Sequence, residues 1–273
     1  MMFPGIGFWG VNLMWNMELE VVIEIAIKAG EAIRDIYFSG SLTDVIYKAD
    51  QSPLTEADRA SNTIIVSELN KHFPEYAILS EEEKDNRERL QNAHCFIIDP
   101  LDGTKEFIKR NGQFTVNIAL SYEHRSVMGV IYVPVTQELY YAAKGRGAFC
   151  RLADGSVERL HVSENTDHTK LRAVVSGSHC CEEMEELIRK YHITDLKRIG
   201  SSLKGCLVAK GEADIYYRHN PTMEWDTAAM QCIVEESGGI FRQMDDTEML
   251  YNRENSLNEK GFYAINQVDN RLY

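Results

Sequence analysis

Ile97-Ile98-Asp99-Pro100-Leu101-Asp102-Gly103-Thr104 is the stretch on which the reading of this chain turns. Cys95 and Phe96 precede it, so four apolar residues in a row lead into it, the pattern of a short strand buried on both faces. Two carboxylates then stand three residues apart around Pro100, whose ring fixes φ, and Gly103 allows a ligand close to the backbone. Lys105 to Arg110 can start a helix, which would turn the Gly103 and Thr104 amides toward an anion. Acids at a strand end beside open amide donors suit a cation that bridges protein and phosphate. Magnesium takes few carboxylates and leaves room for phosphate oxygens and water. A purely local reading competes, in which D-P-x-D-G is a turn that only caps a helix.

Upstream, Leu19, Val22, Ile23, Ala26, Ile27, Ile33 and Ile36 recur at helical spacing between Glu18 and Phe38, with Gly40 as the stop. A second helix is predicted from Glu56 to Lys71, ended by Pro74, and the charged run from Glu81 to Arg89 reads as a solvated loop or helix face. Downstream, Phe114 to Ser121, Val127 to Val133 and Glu138 to Ala143 are β-rich and separated by turns, which predicts a largely antiparallel meander. Beyond His161 strands and helices alternate: a strand at Leu171 to Ser176, helices at Cys181 to Tyr191 and Ser201 to Lys210, a strand at Ala213 to Tyr217, and a helix from Trp225 to Ser237. That change of pattern predicts an α+β half over 18–160 and an α/β half over 161–273.

Composition sets outer limits. The chain has 273 residues, 44% hydrophobic and 26% charged, which suits a folded globular protein. A formal charge of -13 excludes a general nucleic-acid binder, which needs a basic face, but not a small phosphorylated ligand held through cations. None of the six cysteines stands in a C-x-x-C pair, so reduced thiols in the cytoplasm are expected and no zinc site is. Residues 1–16 are apolar, aromatic and glycine-rich, without a basic start and too short to span a bilayer. Residues 1–17 therefore read as a non-native or flexible extension, with Met17 as initiator, and deleting residues 1–16 is expected to change little. The alternative is a peripheral contact with the inner face of the cell membrane through Phe3, Phe8, Trp9 and Trp15. The sequence leaves monomer and homodimer open.

Three further acids invite attention. Glu81 follows the strand-like Tyr76-Ala77-Ile78-Leu79, Asp226 follows Trp225 at a helix start, and Asp58 closes Ser52-Pro53-Leu54-Thr55-Glu56-Ala57-Asp58. Each has a local reading. Thr55-x-x-Asp58 resembles a capping box, Asp226 suits the first turn of a helix, and Glu81 belongs to a charge run. As a set, S-P-L-T-E-A-D, L-S-E-E, D-P-L-D-G-T-K-E-F, E-W-D and the S-G-G helix end stand in the order seen in the inositol monophosphatase superfamily. The resemblance runs from Glu18 nearly to the C-terminus. Inositol monophosphatases usually carry Asn before the Phe that follows the D-G-T core. Here Lys105-Glu106-Phe107 and Lys109-Arg110-Asn111-Gly112 look like the bacterial 3′(2′),5′-bisphosphate nucleotidases of sulfur assimilation.

That resemblance implies a layered αβαβα fold of two αβ halves. It implies side-chain metal ligands at Glu81, Asp99, Asp102 and Asp226, a backbone-carbonyl ligand at Leu101, and two or three Mg²⁺. It gives Thr104 the task of orienting or deprotonating the attacking water, with Asp58 or Glu81 as acidic partner. The Gly103 and Thr104 amides would hold the phosphate, with Glu81, Leu101, Asp102 and Asp226 on the same substrate face. Gly200-Ser201-Ser202-Leu203-Lys204 resembles a nucleotide-side segment, so Ser201 and Lys204 are substrate candidates, although Lys204 also reads as a solvated helix lysine. Lys48 matches a lysine near the metal site in relatives, with a surface role equally open. The implied reaction is hydrolysis of adenosine 3′,5′-bisphosphate to AMP and phosphate, inhibited by Li⁺. An inositol- or sugar-phosphate phosphatase is the alternative.

Overall fold

The computed structural model describes residues 15–39, 46–47, 53–85, 87–177 and 182–272. The chain opens with helix α1 (Asn16–Ser39), whose buried stripe Val22, Ile25, Ala26, Ala29, Ile33 and Tyr37 follows the helical period. Two short strands, β1 (Ile46–Tyr47) and β2 (Pro53–Leu54), pair antiparallel ahead of α2 (Glu56–His72). Then come β3 (Ala77–Ser80), β4 (His94–Asp102), the short α3 (Thr104–Ile108), β5 (Thr115–Tyr122), β6 (Arg125–Val133), β7 (Glu138–Ala143), β8 (Gly147–Arg151) and β9 (Val157–Leu160). The seven strands lie in sequence order in one sheet, with β3 parallel to β4 and every later pair antiparallel.

The remaining chain supplies β10 (Arg172–Ser176), α4 (Glu182–Lys190), β11 (Asp195–Ile199), α5 (Leu203–Ala209), β12 (Ile215–Arg218), β13 (Thr222–Met223), α6 (Glu224–Glu236), β14 (Ile240–Gln243), β15 (Leu257–Asn258) and β16 (Phe262–Ile265). The second sheet has the order β11-β10-β12-β16-β14; β10 runs parallel to β11 and β12, and β16 antiparallel to β12 and β14.

Side-chain alternation along the strands sorts the layers. In β4, Phe96 and Ile98 join the core formed with α1 and α2, whereas Cys95 and Ile97 join the core formed with α5 and α6. The inner face of the second sheet, through Val174, Tyr216, Phe262 and Ala264, closes that middle core, and its outer face packs Ala173, Val175, Ile215 and Tyr217 with Met184 and Leu187 of α4. The result is the expected αβαβα stack. Helix α6 approaches the first sheet so closely that a Cβ on Gly129 would fall 2.3 Å from the Ala229 carbonyl oxygen.

Two expectations change. Arg89 is not solvated: it is 3% exposed and its guanidinium donates to Asp85, Asn252, Arg253 and Ser256. Trp15, which the sequence assigned to the extension, is buried, with its ring centroid 5.8 Å from His94 and 5.4 Å from Tyr122. Its carbonyl accepts the Leu19 amide, so α1 is already nucleated ahead of Met17. Phe3, Phe8 and Trp9 lie outside the described residues, as do Lys48, Cys180 and Cys181. No described helix is long and apolar enough to cross a membrane. Cys95, Cys150, Cys206 and Cys232 are buried free thiols.

Candidate active site

Residues three apart on a regular strand point to opposite faces, so Asp99 and Asp102 could not share a ligand if β4 were regular. It is not. Its pairing with β5 slips between Asp99↔Asn117 and Asp102↔Thr115, around Pro100, which has no N–H to give the ladder. The irregularity turns both carboxylates to one side. Ser61 of α2 fixes it by donating to the Pro100 carbonyl at 2.7 Å, and the Leu101 amide donates to Asp99 Oδ1 at 3.0 Å. Gly103 follows at φ +95°, where a Cβ would sit 3.0 Å from the Gln113 carbonyl oxygen. Only glycine fits that bend without strain.

The other acids arrive from helix starts and a strand end. Asp226 is the third residue of α6 and its Oδ2 accepts the Met223 amide at 2.6 Å. Asp58 is the third residue of α2 and its Oδ2 accepts the Thr55 amide at 2.8 Å, while its Oδ1 accepts the Thr104 hydroxyl at 3.1 Å. Glu81 stands just past β3, where its amide extends the parallel ladder by donating to Ile98 at 3.1 Å. Asp99, Asp102 and Asp226 each offer an oxygen, all within 4.8 Å of one another. Glu81 lines the same cavity outside that trio.

The trio is electrostatically costly as bare carboxylates. Burial pushes Asp99 well above the usual range, and the fields of Glu81, Asp102, Asp226 and Asp58 push it further. Asp226 rises to about 7, from burial first and Asp102 second. Burial also raises Asp58, against the lowering effect of its bonds to Thr55 and Thr104. Converging oxygens of this kind need protons or a cation, and an all-oxygen donor set fits a hard divalent ion such as Mg²⁺.

The acids open into a cavity of about 560 Å³, within the roughly 300–1,000 Å³ common for small-molecule sites. The C-terminal half contributes its far wall from the carboxyl ends of three parallel strands: Ser176 closing β10, Gly200 to Ser202 after β11, and Arg218 closing β12. A sequence profile of the inositol monophosphatase family matches residues 15–269. This chain belongs to the inositol monophosphatase family.

Within the family, the chain is 39% identical over 245 residues to the 3′(2′),5′-bisphosphate nucleotidase CysQ of Salmonella typhimurium, covering 89% of this chain and 98% of that protein. Among solved structures, CysQ of Bacteroides thetaiotaomicron superposes with a TM-score of 0.81 at 40% identity, covering 94% of this chain and all of that one. The extragenic suppressor protein SuhB of Bartonella henselae superposes at 0.79 with 29% identity, covering 94% of this chain and 97% of that one.

Asp99, Leu101, Asp102, Gly103, Thr104, Glu81, Ser201, Lys204 and Asp226 all line this same cavity. Asp58 reaches it through Thr104. Lys204 is not a solvated helix lysine: it is 6% exposed, its Nζ donates to the Ser201 carbonyl at 2.6 Å and lies 5.4 Å from the Tyr216 ring, and burial lowers it to about 8. Ser201 is held at φ 49° above it.

Three residues escaped the sequence reading. Ser202 donates to Asp102 Oδ2 through both its amide, at 2.6 Å, and its hydroxyl, at 2.7 Å. Asn117 Nδ2 approaches the same oxygen at 3.3 Å. All three donors fall on one oxygen and leave the other out of that network. The signal for Asn117 was a lone amide between Val116 and Ile118. Arg218 lines the cavity with a buried Nε that has no hydrogen-bond partner among the described residues. Its signal was a cation ending the apolar run Ile215-Tyr216-Tyr217.

Proposed function

We propose that this chain is a Mg²⁺-dependent 3′(2′),5′-bisphosphate nucleotidase that hydrolyses adenosine 3′,5′-bisphosphate to AMP and phosphate in cytoplasmic sulfur assimilation. One observation carries the reading: a single cavity holds the carboxylate trio Asp99, Asp102 and Asp226 together with the cations Lys204 and Arg218. A substrate with one phosphate to be cleaved and a second to be gripped satisfies both groups. The nucleotidase names carried by relatives at 38–39% identity agree with it.

Asp99, Asp102, Asp226 and Glu81, with the Leu101 carbonyl, would hold two or three Mg²⁺. Bound there, Mg²⁺ supplies Lewis-acid stabilisation of the charge on the phosphoryl group and on the departing ribose oxygen. The Thr104 hydroxyl reaches Asp58 Oδ1 at 3.1 Å, nearer than the Leu101 carbonyl at 3.3 Å, and with its proton given to Asp58 its oxygen would accept a hydrogen bond from water. As that water attacks phosphorus, its proton passes to Thr104 Oγ1 while the Thr104 proton passes to Asp58. Asp58 accepts the Thr104 hydroxyl directly, which favours it over Glu81 for this task. The P–O bond to the ribose breaks, the 3′ oxygen takes a proton from solvent water to give AMP, and Asp58 returns its proton to solvent. Lys204 and Arg218 neutralise the 5′-phosphate, and the Gly103 and Thr104 amides face the transferred one.

The test is ³¹P NMR of adenosine 3′,5′-bisphosphate incubated with the protein and Mg²⁺. The expected products are AMP and inorganic phosphate, with no reaction after chelation. Loss of the 5′-phosphate instead, or turnover unaffected by chelation, would refute the proposal.

A further inference from the structure

The acid cluster is assembled from two halves of the chain, and something must hold those halves in register before any cation arrives. Like charges within 4.8 Å drive the halves apart. Outside the cavity, a polar chain, exposed at Asp85 and buried at Arg89, Asn252 and Glu224, joins the turn that carries Glu81 to the helix that carries Asp226. Asp85, four residues after Glu81, is gripped by Arg89 through Nε at 3.1 Å and Nη2 at 2.8 Å. Arg89 Nη1 donates to Asn252 Oδ1 at 2.9 Å and Nη2 to the Arg253 carbonyl at 2.9 Å. Asn252 Nδ2 returns bonds to the carbonyls of Arg89 at 3.0 Å and Asn92 at 3.1 Å. The Asn252 amide then donates to Glu224 Oε2 at 2.6 Å, and Arg253 donates to Oε1 through its amide at 3.0 Å and Nε at 3.1 Å. Glu224 is the first residue of α6, two before Asp226.

Arg89 is 3% exposed, Asn252 2% and Glu224 fully buried. Such groups tolerate little slack, because a buried charge that loses a partner is left desolvated. We propose that Arg89 and Glu224 are positioning residues for the carboxylate cluster: their network fixes the distance between the Glu81 turn and the start of α6, and so sets affinity for the divalent cation. Partners bonded directly to metal ligands change metal affinity by about 10–100-fold when altered; this network would act on the ligands through the backbone that carries them. The network touches neither substrate nor reacting atoms, so substrate KM at saturating metal is untouched by its loss.

The inference rests on the metal-site reading above, and Mn²⁺ binding to the metal-free full chain, followed by electron paramagnetic resonance, separates the two. Arg89→Lys keeps the charge and loses the fork; Glu224→Gln keeps the shape and loses the charge. Each should weaken Mn²⁺ binding by about 10-fold or more. Saturating Mg²⁺ should restore kcat to within about twofold, as expected if only affinity has changed. Arg172→Lys is the control. Its ion pair with buried Asp214 lies at the opening ends of β10 and β12, about 13 Å along the strands from Ser176 and Arg218. It should lower the melting temperature and leave Mn²⁺ affinity unchanged. Should Arg89→Lys fail to fold, Glu224→Gln carries the test alone. If both variants lose thermal stability yet bind Mn²⁺ within about twofold of the wild type, the network is merely structural and the inference is overturned. If the wild type itself fails to bind Mn²⁺, the metal-site reading falls and the inference with it.

Discussion

Asp58 divides its carboxylate between two tasks: Oδ2 accepts the Thr55 amide at the start of its own helix, and Oδ1 accepts the Thr104 hydroxyl across the site. The cap fixes the rotamer that aims the second oxygen. A local reading and a catalytic reading of one residue are therefore compatible, because they use different atoms. Asp226 shares the arrangement, with the Met223 amide on Oδ2 and a place in the carboxylate trio.

Separating Asp58's tasks gives a first prediction. Asp58→Asn keeps an oxygen for the Thr55 amide but cannot take a proton, so kcat should fall by about 10²–10⁴ with KM little changed. Since Asn can replace the cap, stability should shift by less than about 1 kcal/mol. Thr104→Val should lower kcat similarly and Thr104→Ser should restore it. Steady-state kinetics and thermal melts decide; a collapse of stability without loss of kcat in the surviving protein would contradict the assignment.

The pKa of Asp226 makes the metal-free protein pH-sensitive. In the unfolded chain this group ionises near 3.8, whereas in the fold burial and Asp102 hold it at about 7. Between those values the folded state binds more protons than the unfolded, so stability should decline as pH rises from about 4 to 7. Asp99 contributes with the same sign. A cation that binds the ionised carboxylates reverses the trend. Melting temperatures in chelator at about pH 5 and about pH 8, each repeated with excess Mg²⁺, should show the smaller value and the larger Mg²⁺ rescue at the higher pH.

Lys204 and Arg218 predict substrate discrimination. Lys204→Met and Arg218→Met should each raise KM for adenosine 3′,5′-bisphosphate by about 10-fold or more, a charge-assisted contact being worth about 1.5–3 kcal/mol. Adenosine 3′-monophosphate, which lacks the second phosphate, should be affected far less. Because burial lowers Lys204 to about 8, it loses its charge above that pH. KM for the bisphosphate should accordingly rise in that range, and the Lys204→Met enzyme should lack that rise.

The sequence carried the site further than it carried the surroundings. The apolar run at Cys95 to Ile98, the helical periods of α1 and α2 and the alternation after His161 are local patterns, and the elements formed where those patterns stood. The bulge that turns Asp99 and Asp102 to one side was legible only as a proline between two acids, since a slip in register belongs to the pair of strands. Arg89 was misjudged because its neighbours are charged, while its partners Asn252 and Arg253 are more than 160 residues away. Ser202, Asn117 and Arg218 were missed for a related reason. A serine, an asparagine and an arginine have many ordinary uses, and only the fold shows which carboxylate or cavity each one faces.

Trp15 tests the N-terminal boundary. Its ring is buried among His94 and Tyr122, so Trp15→Ala should cost about 3 kcal/mol or more and lower the denaturant midpoint. Deleting residues 1–14 leaves that ring in place and should cost little. Deleting residues 1–16 should behave like Trp15→Ala, and equal stability of the two deletions would show that the ring contributes nothing.

The central claim is that the carboxylate trio and the Lys204–Arg218 pair together select a bisphosphate nucleotide. Its most direct test is kcat/KM with saturating Mg²⁺ for adenosine 3′,5′-bisphosphate against inositol 1-phosphate, measured side by side on the full chain. The account predicts a preference for the nucleotide of about 100-fold or more, the scale of two charge-assisted contacts that the inositol ester cannot make. An equal or greater kcat/KM for inositol 1-phosphate would contradict it.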